Sequence, residues 1–247
     1  RWSAPLSTGF IGLVIIVLFL ASLNAPSTVV VAGTLVVEQE DPGRPSMPAV
    51  PPPTIAPLRP TLTPSPTAGE SPIPPNFKVA FIGDQGLGNG SVAVLRLIRD
   101  EGADMVLHQG DFDYLDKPLV WDLMITGVLG PDFPYFASVG NHDTSYWEEY
   151  QGVLLERLAR VRDASCIGDL GVQSVCWYKG LFFILSGAGT MGSEHGSYIR
   201  EQLIKDDSVW RICSWHKNQG QLQTGHKDDE VGWEPYEECR KGGAIIA

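Results

Sequence analysis

The sequence predicts an α/β domain over residues 77–247: a layered sheet with flanking helices, largely parallel around one rim. Three observations carry this. Short apolar runs alternate with helical patterns of about 10–15 residues, which implies strands joined by crossover helices. The composition changes sharply near Phe77, since 13 of the 19 prolines lie between Pro42 and Pro75. Polar clusters, most of them led by glycine, follow strand after strand, where α/β sheets place their ligands.

The elements follow in order. Lys78 to Gly83 reads as a buried strand. Ser91 to Glu101 carries Val92, Val94, Leu95 and Ile98 on one helical face, with Ser91 as the cap. Met105 to His108 is a second strand, Lys117 to Leu129 a helix, and Tyr135 to Ser138 a third strand. Ser145 caps a helix running to about Val161. Val175–Tyr178 and Leu181–Ser186, split by Lys179-Gly180, read as a hairpin. A helix over Ser197–Lys205, a strand over Val209–Ser214 and a short helix over Gly232–Arg240 lead to a last strand at Gly243–Ala247. The chain opens on Arg1 and stops at that strand, so the expectation is a domain incomplete at its C-terminus.

Two zones precede the domain. Residues 1–41 contain a nearly unbroken apolar run, Phe10 to Leu23, and a second from Val29 to Val37. The first suits a signal-peptide core better than a full span of about 20 residues. Read together, the two runs suit a signal anchor, although Asn24 and Pro26 interrupt them. Both readings place the domain outside the cytoplasm, secreted or membrane-anchored. Residues 42–76 form a Pro-rich linker with Ser, Thr and Ala. Proline removes donors and fixes φ, so the linker reaches at most ~110 Å as polyproline.

The formal net charge of the 247-residue chain is −11, and nearly all of it belongs to the domain. Such a balance argues against a nucleic-acid surface, which needs a basic face. An acidic domain that handles anions needs a cation of its own. Four cysteines in an exported chain predict two disulfides. Cys166 and Cys176 flank a short Gly-containing turn and are the favoured pair, leaving Cys213 with Cys239.

The strand ends carry the chemistry. Gly83-Asp84-Gln85-Gly86 follows the first strand, and Gly110-Asp111-Phe112-Asp113-Tyr114 the second. Gly140-Asn141-His142-Asp143 follows the third, and Trp215-His216-Lys217-Asn218 the strand ending at Ser214. One such Asp is commonly a turn former. Four clusters in order are not explained by capping. Carboxylate, phenolate, amide oxygen and imidazole suit Fe, Mn or Zn.

This series resembles the calcineurin-like metallophosphoesterase superfamily, and Tyr114 resembles its purple acid phosphatase branch. The resemblance covers Phe77 to Ala247 and four of five family blocks. It implies hydrolysis of phosphate esters by two metal ions and a metal-bridging hydroxide. Asp111 would bridge them, Asp84 and Tyr114 would hold the first, and Asn141 and His216 the second. His142 would act on the phosphoryl group and protonate the leaving oxygen. A Tyr114 phenolate would favour Fe(III) in the first site, with Fe, Zn or Mn in the second. The pattern departs twice. Gly86 stands where many members have His, and the fifth block, Gly-His-x-His, is not found; Gly225-His226 is not that block, because Lys227 and Asp228 follow. The expectation is weak metal binding and poor hydrolysis by this chain.

Other residues have lesser claims. Asp143, His195, Lys217 and Asn218 are candidates for the second ring of partners or for substrate, as is Gln219. Asp113 reads equally as a turn former. His108 reads as a hydrogen-bonded core residue, His226 as solvated loop, and Trp215 and Trp233 as packing. The competing function is a non-catalytic extracellular binding or structural module on the same fold. A nucleotide-binding reading fails, because Gly86-Leu-Gly88-Asn-Gly90-Ser91 lacks the last glycine and leaves Asn141 and His142 unexplained.

Overall fold

The computed structural model describes residues 73–222 and 230–247, all within one compact unit. The signal or anchor region, most of the Pro-rich linker and His226 lie outside the described residues.

Three strands form a parallel sheet in the order β1 (Val79–Ile82), β2 (Met105–His108), β3 (Tyr135–Ala137). Two crossover helices join them, α1 (Asn89–Asp100) and α2 (Pro118–Leu129). A 3-10 turn at Thr144–Tyr146 leads into α3 (Trp147–Leu158). A second, five-stranded sheet follows in chain order: β4 (Ala164–Asp169), β5 (Gln173–Tyr178), β6 (Leu181–Ser186), β7 (Trp210–Ser214) and β8 (Ile245–Ile246). Its first two pairings are antiparallel and its last two parallel. Helices α4 (His195–Lys205) and α5 (Glu234–Lys241) belong to this half.

The period-2 alternation of strands builds the layers. On β6, Leu181, Phe183 and Leu185 face the core shared with the first sheet. Phe182 and Ile184 face a smaller core with Ile199 and Leu203 of α4. The whole strand is therefore buried, and its sequence reads as a continuous apolar run. Phe136 of β3 meets Phe183 edge-on at 4.7 Å, which stacks sheet on sheet. Leu95, Ile98, Trp121, Ile125, Tyr150 and Leu154 bury α1, α2 and α3 on the first sheet's other face. The order of layers is helix, sheet, sheet, helix.

Three predicted details differ. Helix α1 starts at Asn89, with Ser91 inside it rather than capping it; the Ser91 hydroxyl donates instead to the Gln85 carbonyl at 2.5 Å. Ser145 sits within the 3-10 turn, and α3 proper begins at Trp147. The four site-bearing strands do not share one open sheet: β7 lies in the second sheet, so the rim is made by two.

Both disulfides form as expected. Cys166 and Cys176 are directly opposite on β4 and β5, and Cys213 of β7 joins Cys239 of α5. Among the described residues no helix is long and apolar enough to cross a membrane.

Candidate metal centre

The loops after β1 and β2 are tied by their backbones. The amides of Asp84, Gln85 and Gly86 donate to the carbonyls of Gly110, Asp111 and Phe112 at 3.0, 2.9 and 2.9 Å. Asp84, Asp111 and Tyr114 all hold positive φ, 52°, 58° and 59°, a conformation side chains seldom adopt. Such strain persists only where the surroundings impose it. Here Gly110 and Gly140 make room. A Cβ on Gly110 would stand 2.6 Å from the Gly140 backbone, and one on Gly140 would strike the backbone nitrogen of Asp111.

Asp143 supplies the clamp. Its carboxylate accepts from the amides of Asp111 (2.9 Å), Phe112 (2.9 Å) and Gly140 (2.8 Å). Burial pushes its pKa up to about 6 against the pull of these amides, and the Asp111 charge adds to the rise. Asp143 therefore fixes the frame of Asp111 rather than facing outward.

The chemistry-bearing atoms converge in front of this frame. Ligand atoms of Asp84, Asp111 and His216 lie within 4.8 Å of one another. The Tyr114 hydroxyl donates to Asp84 Oδ1 at 2.7 Å. Burial and the neighbouring Asp84 carboxylate hold the Tyr114 pKa well above its ordinary value, so a phenolate there requires a cation. The backbone amide of His142 donates to Asp111 Oδ1 at 2.9 Å, and its exposed ring lies 4.8 Å from that of Tyr114.

His216 fixes its own tautomer. Its Nδ1 is 2.8 Å from the Gln109 carbonyl, which can only accept, so Nδ1 carries a proton. Its Nε2 then faces two acceptors, Asn141 Oδ1 at 3.2 Å and Asp111 Oδ2 at 3.4 Å. A cation, proton or metal, reconciles these atoms. Burial alone would lower the His216 pKa, but the Asp111 carboxylate outweighs it and raises it. Burial likewise opposes ionisation of Asp111, and His216 reverses this, leaving the Asp111 pKa lowered. The donor set thus fits a cation of the hard-to-borderline kind.

The remaining candidates separate clearly. Asp113 accepts from the amides of Leu115 and Lys117 at 2.7 and 2.9 Å, and so shapes the turn into α2. His195 opens α4 instead of lying in a loop, is buried, and engages Ser186 Oγ and the Met191 carbonyl. The Lys217 ammonium pairs with Glu230 at 2.8 Å instead of lying open on the rim. Asn218 lines a cavity of about 470 Å³ beside Asp84 and His216, walled by Phe81, Tyr236 and Ile245. Gln219 is buried and its amide meets the Tyr236 hydroxyl. Trp215 packs edge-on against Tyr236, as a core residue does. His108 is fully buried between Phe112 and Tyr135, but neither ring nitrogen has a partner among the described residues, which corrects the expectation of a hydrogen bond. Burial lowers its pKa to about 3, so it is neutral.

Two contributors carry no motif signal. The Gln109 carbonyl orients His216, and any residue offers a carbonyl. Gln85, between Asp84 and Gly86, is tied to Trp121 and Tyr135.

A family model of calcineurin-like phosphoesterases matches residues 77–242. Among solved structures, a purple acid phosphatase isolated from yellow lupin (Lupinus luteus) seeds is similar at 16% identity and a TM-score of 0.45. The similarity covers 68% of this chain and 37% of that one, so the chain spans well under half of that protein. No curated protein matches.

Proposed function

Because the chain belongs to the calcineurin-like phosphoesterase family, we propose that its domain, residues 77–247, hydrolyses phosphate esters at a dinuclear metal centre. One observation supports this most directly: His216 Nε2, Asn141 Oδ1 and Asp111 Oδ2 face one another with no donor among them once Nδ1 is protonated. Asp111 would serve both ions, Asp84 and Tyr114 the first, and Asn141 and His216 the second. When bound, such ions neutralise phosphoryl charge and activate water for in-line displacement.

The protein's own groups do the rest. The Gln109 carbonyl keeps the His216 lone pair on Nε2. Asp143 holds the Asp111 backbone, with Oδ2 toward His216 and Oδ1 taking the His142 amide. His142, exposed and hinged on Asp111 through its amide, gives a proton to the departing ester oxygen as the P–O bond breaks. The products are an alcohol and the phosphate, which is inorganic when the substrate is a monoester.

Tyr114 beside Asp84 favours Fe(III) in the first site, as in the purple acid phosphatase branch, with Fe, Zn or Mn in the second. Two disulfides support an oxidising compartment. With the apolar residues 1–41 as a signal peptide or anchor and residues 42–76 as linker, the domain would act outside the cytoplasm. The test is iron loading with a chromogenic aryl phosphate as substrate. The expected result is weak turnover, since no Gly-His-x-His block is found in this chain, with a visible tyrosinate band that Tyr114→Phe abolishes. Turnover without iron, or a band that survives the substitution, overturns the iron assignment; a metal-loaded protein without turnover overturns the hydrolytic one.

A further inference from the structure

We propose that Gln85 is a positioning residue, locking the Asp84 and Asp111 loops into one frame. It rests on the reading of those carboxylates as metal ligands. Four hydrogen bonds converge on this one residue. Its backbone amide donates to the Asp111 carbonyl at 2.9 Å. Its own carbonyl accepts the Ser91 hydroxyl at 2.5 Å, which ties it to α1. Its side-chain Oε1 accepts both Trp121 Nε1 of α2 and the Tyr135 hydroxyl of β3, each at 3.0 Å.

The orientation of the amide is not free. An indole N–H only donates, so the oxygen end must face Trp121. Burial holds the Tyr135 pKa above its ordinary value, so its hydroxyl also remains a donor. Trp121 and Tyr135 are fully buried, and no solvent can replace the acceptor. Among the described residues the buried amide Nε2 has no partner, so the oxygen is the functional end. Asp84, the residue just before, stands at a positive φ of 52°. An L-residue there needs its neighbours to hold it. Gln85 links that strained residue to three elements and to the Asp111 loop together.

An isosteric apolar side chain would leave two buried donors unpaired, and the loop would shift to satisfy them. Gln85→Met tests this, with Gln85→Glu as the variant that keeps an acceptor oxygen. Two readouts on the full chain separate positioning from packing. The first is amide exchange in the metal-free protein; the second is Mn²⁺ affinity by calorimetry. Gln85→Met is expected to speed exchange at Asp84, Gln85 and Gly86 while β5 and β6 keep their protection. It should also weaken Mn²⁺ binding about 10–100-fold, the usual cost of losing an outer partner of a metal site. Gln85→Glu should remain close to the parent, and Tyr135→Phe should add nothing in the Gln85→Met background. Unchanged exchange at those three amides overturns the proposal, as does protection lost evenly across both sheets. If the parent itself binds no Mn²⁺, the metal reading falls, and the exchange result still decides whether Gln85 holds the loop.

Discussion

The two sheets contribute to the same rim by different means. The first sheet brings Asp84, Asp111, Tyr114 and Asn141, three of them on left-handed backbone held by amide bonds, Asp143 and glycine contacts. The second brings His216 on ordinary strand-to-loop backbone, and secures its strands covalently through Cys166–Cys176 and Cys213–Cys239. One half is preorganised by stored backbone strain, the other by cross-links. The difference teaches where each half is vulnerable: the first to small changes of shape or charge, the second to reduction.

The largest effect should come from the residue that joins the halves. Asp111 contacts His216 across the rim and takes the His142 amide. Asp111→Asn is expected to weaken metal binding by more than about 100-fold, beyond the loss of an outer partner; metal titration checks it. Gly140→Ala comes next, because the new Cβ meets the Asp111 backbone, which cannot yield cheaply. Overpacking of this kind costs about 1–3 kcal/mol, and thermal unfolding should show it together with loss of metal affinity.

Asp143 gives the first half a pH signature. Its folded pKa of about 6 lies above the ordinary value of 3.8. The folded state therefore binds this proton more tightly than the unfolded one. The resulting stability is fully present below about pH 4 and is lost as pH rises through about 6. In metal-free protein this contribution is on the order of 2–3 kcal/mol. Asp143→Asn should remove that slope from the denaturation profile and also lower stability, since one amide oxygen cannot serve three backbone donors. A slope that persists in the variant belongs to another group.

The disulfides sharpen the other side. Removing Cys213–Cys239, which closes a separation of 26 residues, should cost roughly 3–4 kcal/mol in the chain-entropy model. It should also loosen β7, whose Cys213 stands three residues before His216. Removing Cys166–Cys176, with a separation of 10, should cost slightly less, roughly 3 kcal/mol, and leave metal affinity unchanged. Equal losses of affinity from both would break the comparison. The smallest effect is expected from Asp163→Asn, which breaks a surface pair with Lys179 and should leave the melting temperature where it was.

Much of this was legible in the sequence because it lies in local pattern. Strands β1, β2 and β3 are short apolar runs, and the Gly-Asp and Gly-Asn-His clusters stand directly after them. What was missed is set by tertiary contact. Strand β4 alternates small and polar residues on an exposed edge and gives no apolar period. The split into two sheets depends on which strands pair, and an apolar run such as β6 looks the same in one sheet or between two cores. His195 sits beside glycines and reads as loop, yet Ser186 and Met191 draw it inward. Gln85 and the Gln109 carbonyl act through partners 36 and 107 residues away, beyond any local signal.

The central claim is that the two halves meet at a cation. A Mn²⁺ titration of the parent chain and Asp111→Asn, followed by water-proton relaxation, tests it most directly. The account predicts saturable binding in the parent, weakening as pH falls through the raised pKa of His216, and its loss in the variant. No saturable binding in the parent, or binding that Asp111→Asn leaves intact, would contradict it.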